Sequence, residues 1–68
     1  MSIIPGKHYS RPNASIIVFI GSILEKDENF TKFNAVIFSK GDKLLLENSK
    51  TITVSNIELK SWKEVTDV

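Results

Sequence analysis

Few residues in this chain could carry out acid–base or nucleophilic chemistry. It has one histidine, His8, and no cysteine. Ser10 follows two residues later and would share a strand face with His8. A catalytic histidine also needs a positioned partner, and no acidic residue lies near this pair in the sequence. We therefore expect no catalytic residues and no enzymatic activity.

A metal or cofactor site is not indicated either. Three carboxylates cluster in one charged loop: Glu25, Asp27 and Glu28. Carboxylates of this kind can bind a hard cation, but Lys26 stands among them and the spacing is not that of a calcium loop. The three glycines are isolated from one another, so no phosphate-binding loop is present. We expect a solvated turn here and no cofactor.

The basic residues provide one possible binding surface. The net charge is only +1, from nine Lys and Arg against eight Asp and Glu, whereas nucleic-acid-binding domains are usually strongly basic. Small barrels can nevertheless bind single strands through a basic groove with stacking aromatic side chains. The residues that would form such a face are Lys7, Arg11, Lys32, Lys40 and Lys43. Nucleic-acid binding is therefore the alternative hypothesis.

The apolar residues favour a different partner. Three consecutive leucines, at positions 44 to 46, cannot all point inward if they form a strand. We expect Leu45 to be exposed unless a partner protein or a second copy of the chain covers it. A contiguous apolar patch on a surface usually marks such a contact. The expected partner-binding residues are Leu45, Ile3, Ile4 and Trp62.

The pattern along the chain predicts short strands separated by turns. The expected strands cover residues 7–9, 15–25, 31–39, 44–47, 51–54 and 61–65, with turns at 40–42 and 48–50. The strand at 15–25 is apolar on both alternate faces, which is typical of burial on two sides. Gly21 in its middle indicates a bulge, a bend or the close approach of another backbone.

The end of the chain has a different character. Ser55 followed by Glu58 has the spacing of a helix-capping box, which predicts one helical or 3₁₀ turn near residues 56–60 before the last strand. A continuous amphipathic helix using Leu59, Trp62 and Val65 is the other interpretation. With 68 residues and no disulfide, one domain spanning residues 1–68 must rest on a single core. The expected core is Tyr9, Ile16, Val18, Ile20, Ile23, Phe33, Ala35, Ile37, Leu44, Leu46, Ile52, Val54, Leu59 and Trp62.

This layout resembles the small SH3-like barrels, many of which are stand-alone proteins of bacteria and their phages. The resemblance lies in the opening Pro5-Gly6-Lys7-His8-Tyr9, the bent strand after it, the strand around 36–38 and the ending at 57–62. It implies an all-β fold, a small antiparallel barrel of five or six strands. By analogy, it also implies a phage or mobile-element accessory protein that binds and modulates a host or defence protein.

The first residues show no signal peptide, and no apolar run is long enough to span a bilayer. We therefore expect a cytoplasmic protein that does not contact a membrane. Its expected function is that of a non-enzymatic binding module, with a protein as the partner and self-association as one form of that contact.

Overall fold

The chain forms one sheet of five antiparallel strands and one short helix, as seen in a computed structural model that describes residues 3–66. The elements are β1 (His8–Ser10), β2 (Ile16–Lys26), β3 (Phe30–Ser39), β4 (Leu45–Ser55), α1 (Asn56–Leu59) and β5 (Lys63–Val65). The strand order is β4-β3-β2-β1-β5. The prediction of a small all-β domain is confirmed, and the sheet is open.

Strand β2 bends where the sequence places its glycine. Its register against β3 shifts between Ile20 and Ile23, and again between Ile23 and Glu25. A Cβ added at Gly21 would lie 3.2 Å from the backbone oxygen of Asn34 on β3. The predicted bulge and the predicted close approach of another backbone therefore occur together, and they let the long strand curve.

Strand β4 differs from the prediction. Residues 48–50 were expected to form a turn between two short strands, but one continuous strand runs from Leu45 to Ser55. Its register against β3 shifts twice, between Ala35 and Ile37 and between Ile37 and Phe38. Ser49 has a φ of 69° and lies in the first irregular stretch. The turn-forming residues thus produce a β-bulge, because an extra residue in one strand is accommodated without reversing the chain.

The core lies on one face of the sheet and is closed by the C-terminal segment. It is built from Ile3, Tyr9, Val18, Ile20, Phe33, Ala35, Val54, Leu59 and Trp62, with Ile16, Ile23 and Ile52 packed against it. Two members of the predicted core are wrong: Leu44 and Leu46 are 60% and 51% exposed. They lie in a part of the β3–β4 hairpin, residues 40–51, that is exposed throughout. Ile37 is only half-buried.

Helix α1 begins at the predicted cap. The Oγ of Ser55 accepts a hydrogen bond from the Glu58 backbone N–H at 3.2 Å, as the capping-box spacing predicts. The turn is short, and β5 follows it, so the alternative of a continuous helix to Val65 is wrong.

Asn56 fixes this helix to the β2–β3 turn. Its side-chain oxygen accepts a hydrogen bond from the Thr31 hydroxyl at 2.6 Å, and its amide donates to the Asp27 carbonyl at 2.8 Å. Its backbone N–H donates to the Asn29 carbonyl at 2.9 Å. Thr31 is buried, so this contact satisfies its polar atom.

Candidate protein-binding surface

The face of the sheet opposite the core carries a row of apolar side chains. The register places Ile17 of β2 beside Phe38 of β3, and Phe38 beside Leu45 of β4. The next row pairs Phe19 with Val36. Directly opposed residues of antiparallel strands point to the same face, so these five residues are neighbours. We call them the outer-face patch.

The patch becomes more exposed towards β4. Ile17 is 3% exposed although it does not belong to the core cluster. Phe19, Val36 and Phe38 are half-buried, while Leu45 is 54% exposed. The apolar surface therefore ends at the edge of the sheet, next to the two other exposed leucines. Alternating apolar residues on both faces of β2 and β3 were the sequence signal for this patch, but they did not reveal which side chains would remain uncovered.

His8 lies beside the patch and packs on it. The imidazole and the Phe19 ring have centroids 4.7 Å apart, with their planes at 47°. Ser10 is separated from His8 by one residue on β1 and pairs with Ile17. The His8 imidazole therefore has an aromatic neighbour.

The predicted partner-binding residues do not lie together. Leu45 is in the outer-face patch and Ile4 is 52% exposed near the start of the chain. Ile3 and Trp62 are 4% and 1% exposed, and both belong to the core. The Ile4 backbone N–H donates to the Tyr9 hydroxyl at 2.9 Å, which holds the first segment against the core. Ile3 and Trp62 are therefore removed from the candidate surface.

Trp62 is held in place by a polar group that the sequence did not reveal. Its indole N–H donates to Glu58 Oε2 at 3.0 Å. Arg11 donates to both oxygens of the same carboxylate, from Nε at 2.6 Å and from Nη2 at 3.2 Å. The Arg11 guanidinium carbon also lies 5.5 Å from the centre of the Trp62 ring. Arg11 and Glu58 are 47 positions apart, so local spacing carried no signal of this contact.

These contacts favour the ionised form of the Glu58 carboxyl. The hydrogen bonds from Arg11 lower the pKa of the Glu58 carboxyl below its ordinary value, and the Trp62 indole and the Arg11 charge add to the effect against the opposing cost of desolvation. The group joins the end of β1 to helix α1. Both carboxylate oxygens are bonded within the chain, to Arg11 and to Trp62, so we assign this group a structural role.

The predicted basic face is divided into separate ion pairs. Lys7 pairs with Glu64 at 3.6 Å, Arg11 with Glu58 at 2.6 Å, and Lys32 with Glu25 at 3.9 Å. The other two predicted residues, Lys40 and Lys43, lie in the β3–β4 turn. Lys32 and Lys40 are eight positions apart along β3 and its end, roughly 26 Å at the usual rise of a strand. Three of the five cations thus have a carboxylate partner, and the set spreads along the sheet.

The acidic loop is used for its own turn. Asp27 Oδ1 accepts hydrogen bonds from the backbone N–H groups of Asn29 and Phe30, both at 2.7 Å. The bond from Phe30, followed by that from Asn29, lowers the pKa of the Asp27 carboxyl. Within residues 3–66, no group of three His, Asp or Glu side chains is placed to hold a metal ion. The carboxylate therefore stabilises the β2–β3 turn.

In the part of the chain that the structure describes, no helix has the length and apolar character needed to cross a membrane. Comparison of the chain with protein-family models, with curated proteins and with solved structures finds no match. We therefore infer the candidate surface from the geometry of this chain alone.

Proposed function

We propose that this chain is a non-enzymatic module that binds a protein through the outer-face patch. The observation that carries this proposal is the position of the five apolar residues: they lie on the face away from the core, and they lead to a leucine that is 54% exposed. Aromatic and aliphatic anchors at the centre of a surface are typical of protein interfaces. Burying the exposed half of Leu45 would contribute about 1 kcal/mol, roughly half the value for a whole side chain.

The non-enzymatic part of the proposal rests on the residue inventory. The one histidine packs on an aromatic ring, and the chain has no cysteine. The bend in β2 and the helical turn directly before the last strand support an SH3-like arrangement. That resemblance extends the proposal to a cytoplasmic accessory protein of a phage or mobile element whose partner is a host or defence protein.

The ion pairs weigh against the nucleic-acid alternative. A lysine that already faces a carboxylate releases fewer counterions from a phosphate backbone, and counterion release supplies most of the affinity for non-specific binding. An anisotropy titration with a single-stranded oligonucleotide at low salt tests the alternative. Binding that weakens steeply as salt rises would favour nucleic acid over protein as the partner.

The protein-binding proposal is tested with Leu45→Lys and a matched control, Ile57→Lys. Both side chains are exposed, but Ile57, which is 81% exposed, lies on α1 and outside the patch. Tagged protein is used to capture partners from a lysate of its own source, and each captured partner is then purified and titrated by calorimetry. We expect Leu45→Lys to weaken the affinity at least tenfold, about 1.4 kcal/mol, and Ile57→Lys to leave it unchanged. Equal affinities for the two variants would refute the assignment of the patch.

A further inference from the structure

Strand β4 has one edge without a neighbouring strand in the described sheet. It lies at the end of the order β4-β3-β2-β1-β5 and pairs with β3. Its first half is exposed, and the leucines at 45 and 46 are 54% and 51% exposed. Exposed edges with apolar side chains are the usual places where a further chain adds to a sheet.

The two charged residues on this edge can pair with the same two residues on a second copy of the chain. Among residues 45–55 the charged side chains are Glu47 and Lys50. Within residues 3–66 neither of them forms an ion pair. Their pairing with Ile37 and Ala35 places both on the core side of the sheet. If two copies of β4 lie antiparallel about a two-fold axis between Asn48 and Ser49, each Glu47 faces Lys50 of the second copy.

The same register covers Leu45. Leu45 and Thr51 both lie on the outer face, opposite Phe38 and Asn34 of β3. When the extra residues of the two bulges are left out of the count, Leu45 lies opposite Thr51 of the second copy, which gives an apolar to β-branched cross-strand contact. The bulge at Ser49 bends the strand, so the contact is made by side chains more than by a continuous backbone ladder. A net charge of +1 per copy adds little repulsion between two molecules.

We propose that the free edge of β4 binds a second copy of this chain as a two-fold symmetric dimer, held by two Glu47–Lys50 ion pairs and by Leu45 beside them. Such an interface is isologous, because the same patch serves both molecules. The proposed dimer rests on the proposed function, because Leu45 belongs to both surfaces. It deepens that function by naming one protein partner, a second copy of this chain.

The test uses charge reversal, followed by sedimentation velocity with light scattering. Glu47→Lys makes both charged positions of the edge basic, and Lys50→Glu makes both acidic. We expect each variant alone to dimerise at least tenfold more weakly than the wild type. An equimolar mixture of the two should form a heterodimer, and the double variant with both changes should dimerise like the wild type. Both positions are exposed, so we expect each variant to fold, and circular dichroism verifies this.

A wild type that stays monomeric at about 100 µM, a range where even weak dimers are populated, would overturn the proposal. So would a dimer whose affinity does not respond to either reversal or to their mixture. Neither substitution alters a residue of the outer-face patch, so both single variants should still bind a captured partner protein. If partner binding persists in a monomeric chain, only the dimer is refuted. If the dimer forms and responds as expected but Leu45→Lys and Ile57→Lys bind partners equally, only the proposed function is refuted.

Discussion

Glu58 is the residue whose substitution should expose most clearly how the polar contacts stabilise this fold. Its carboxylate accepts from the Trp62 indole at 3.0 Å and from Arg11 at 2.6 and 3.2 Å. Glu58→Ala removes both acceptors, whereas Glu58→Gln keeps an oxygen that can accept from the indole. The two variants therefore separate the loss of the negative charge from the loss of the hydrogen-bond acceptor.

The expected losses in the free energy of unfolding follow from the burial of these side chains. Trp62 is 1% exposed, and a buried donor left without an acceptor costs about 1–3 kcal/mol. The Arg11 and Glu58 side chains are each 36% exposed, so solvent screening limits their ion pair to about 0–1 kcal/mol. We expect Glu58→Ala to lower the free energy of unfolding by about 2–3 kcal/mol and Glu58→Gln by about 1 kcal/mol or less. In a domain with roughly 3–5 kcal/mol of stability, the first loss is severe.

The assay is urea and thermal unfolding followed by the fluorescence of the single tryptophan, with circular dichroism as a second probe. For a domain of this size, 1 kcal/mol corresponds to about 4–8 °C in Tm. Glu58→Ala should therefore melt about 10–20 °C below the wild type. The matched control is Glu64→Ala, which removes the exposed pair with Lys7 and no acceptor of a buried donor; it should change stability by less than about 0.5 kcal/mol.

The same carboxylate makes stability depend on pH. The pKa of Glu58 is lower in the folded protein than its ordinary value of 4.5, so the unfolded chain binds more protons in that range. Its contribution is present above pH 4.5 and is lost as pH falls through the folded pKa. Glu58→Gln should flatten this part of the acid-unfolding curve. If Glu58→Ala unfolds at the same urea concentration as Glu64→Ala, the assigned role of the carboxylate is wrong.

Two further pairs of substitutions test the packing of the sheet. Ile20 is fully buried while Ile37 is half-buried, so Ile20→Val should cost about 0.5–1.5 kcal/mol and Ile37→Val less, as measured by urea unfolding. Equal losses at the two positions would contradict the core boundary. Gly21→Val places a Cβ 3.2 Å from the Asn34 oxygen and should destabilise the domain by about 1–3 kcal/mol. Gly41→Val is the control, because no atom lies within 4 Å of its added Cβ. A Gly21→Val protein as stable as this control would show that β2 and β3 can separate there without cost.

The sequence predicted the features that depend on local pattern. Alternation placed β2 and β3 within a residue at each end, Gly21 marked the bulge, and the spacing of Ser55 and Glu58 marked the cap of α1. Leu44 and Leu46 were misplaced because alternation does not show how far the core extends along a hairpin, and residues 40–51 are exposed throughout. The alternation rule assumes that every strand residue has one partner, and the register shifts of β4 break that assumption.

The candidate surface was predictable only in part. Leu45 was expected to be exposed and is exposed, but Leu44 and Leu46 on either side of it are exposed as well. The remaining members of the outer-face patch depend on what covers the back of the sheet, which periodicity does not reveal. Trp62 was placed both in the core and on the surface. It is buried in the core, and its indole is bonded to Glu58, whose contact with Arg11 joins residues 47 positions apart.

The pairing of β1 with β5 has a consequence for how the chain folds as it is synthesised. Tyr9 of β1 lies beside Glu64 of β5, so this contact joins segments from nearly opposite ends of the sequence. Strands β2, β3 and β4 can pair in order as a meander, but Leu59 and Trp62 close the core only once the chain has been made beyond them. Until then the inner face of the meander is uncovered, and closing so long a loop is slow. A nascent chain that pauses before residue 59 therefore leaves Ile20 and Phe33 exposed, where a chaperone can bind them.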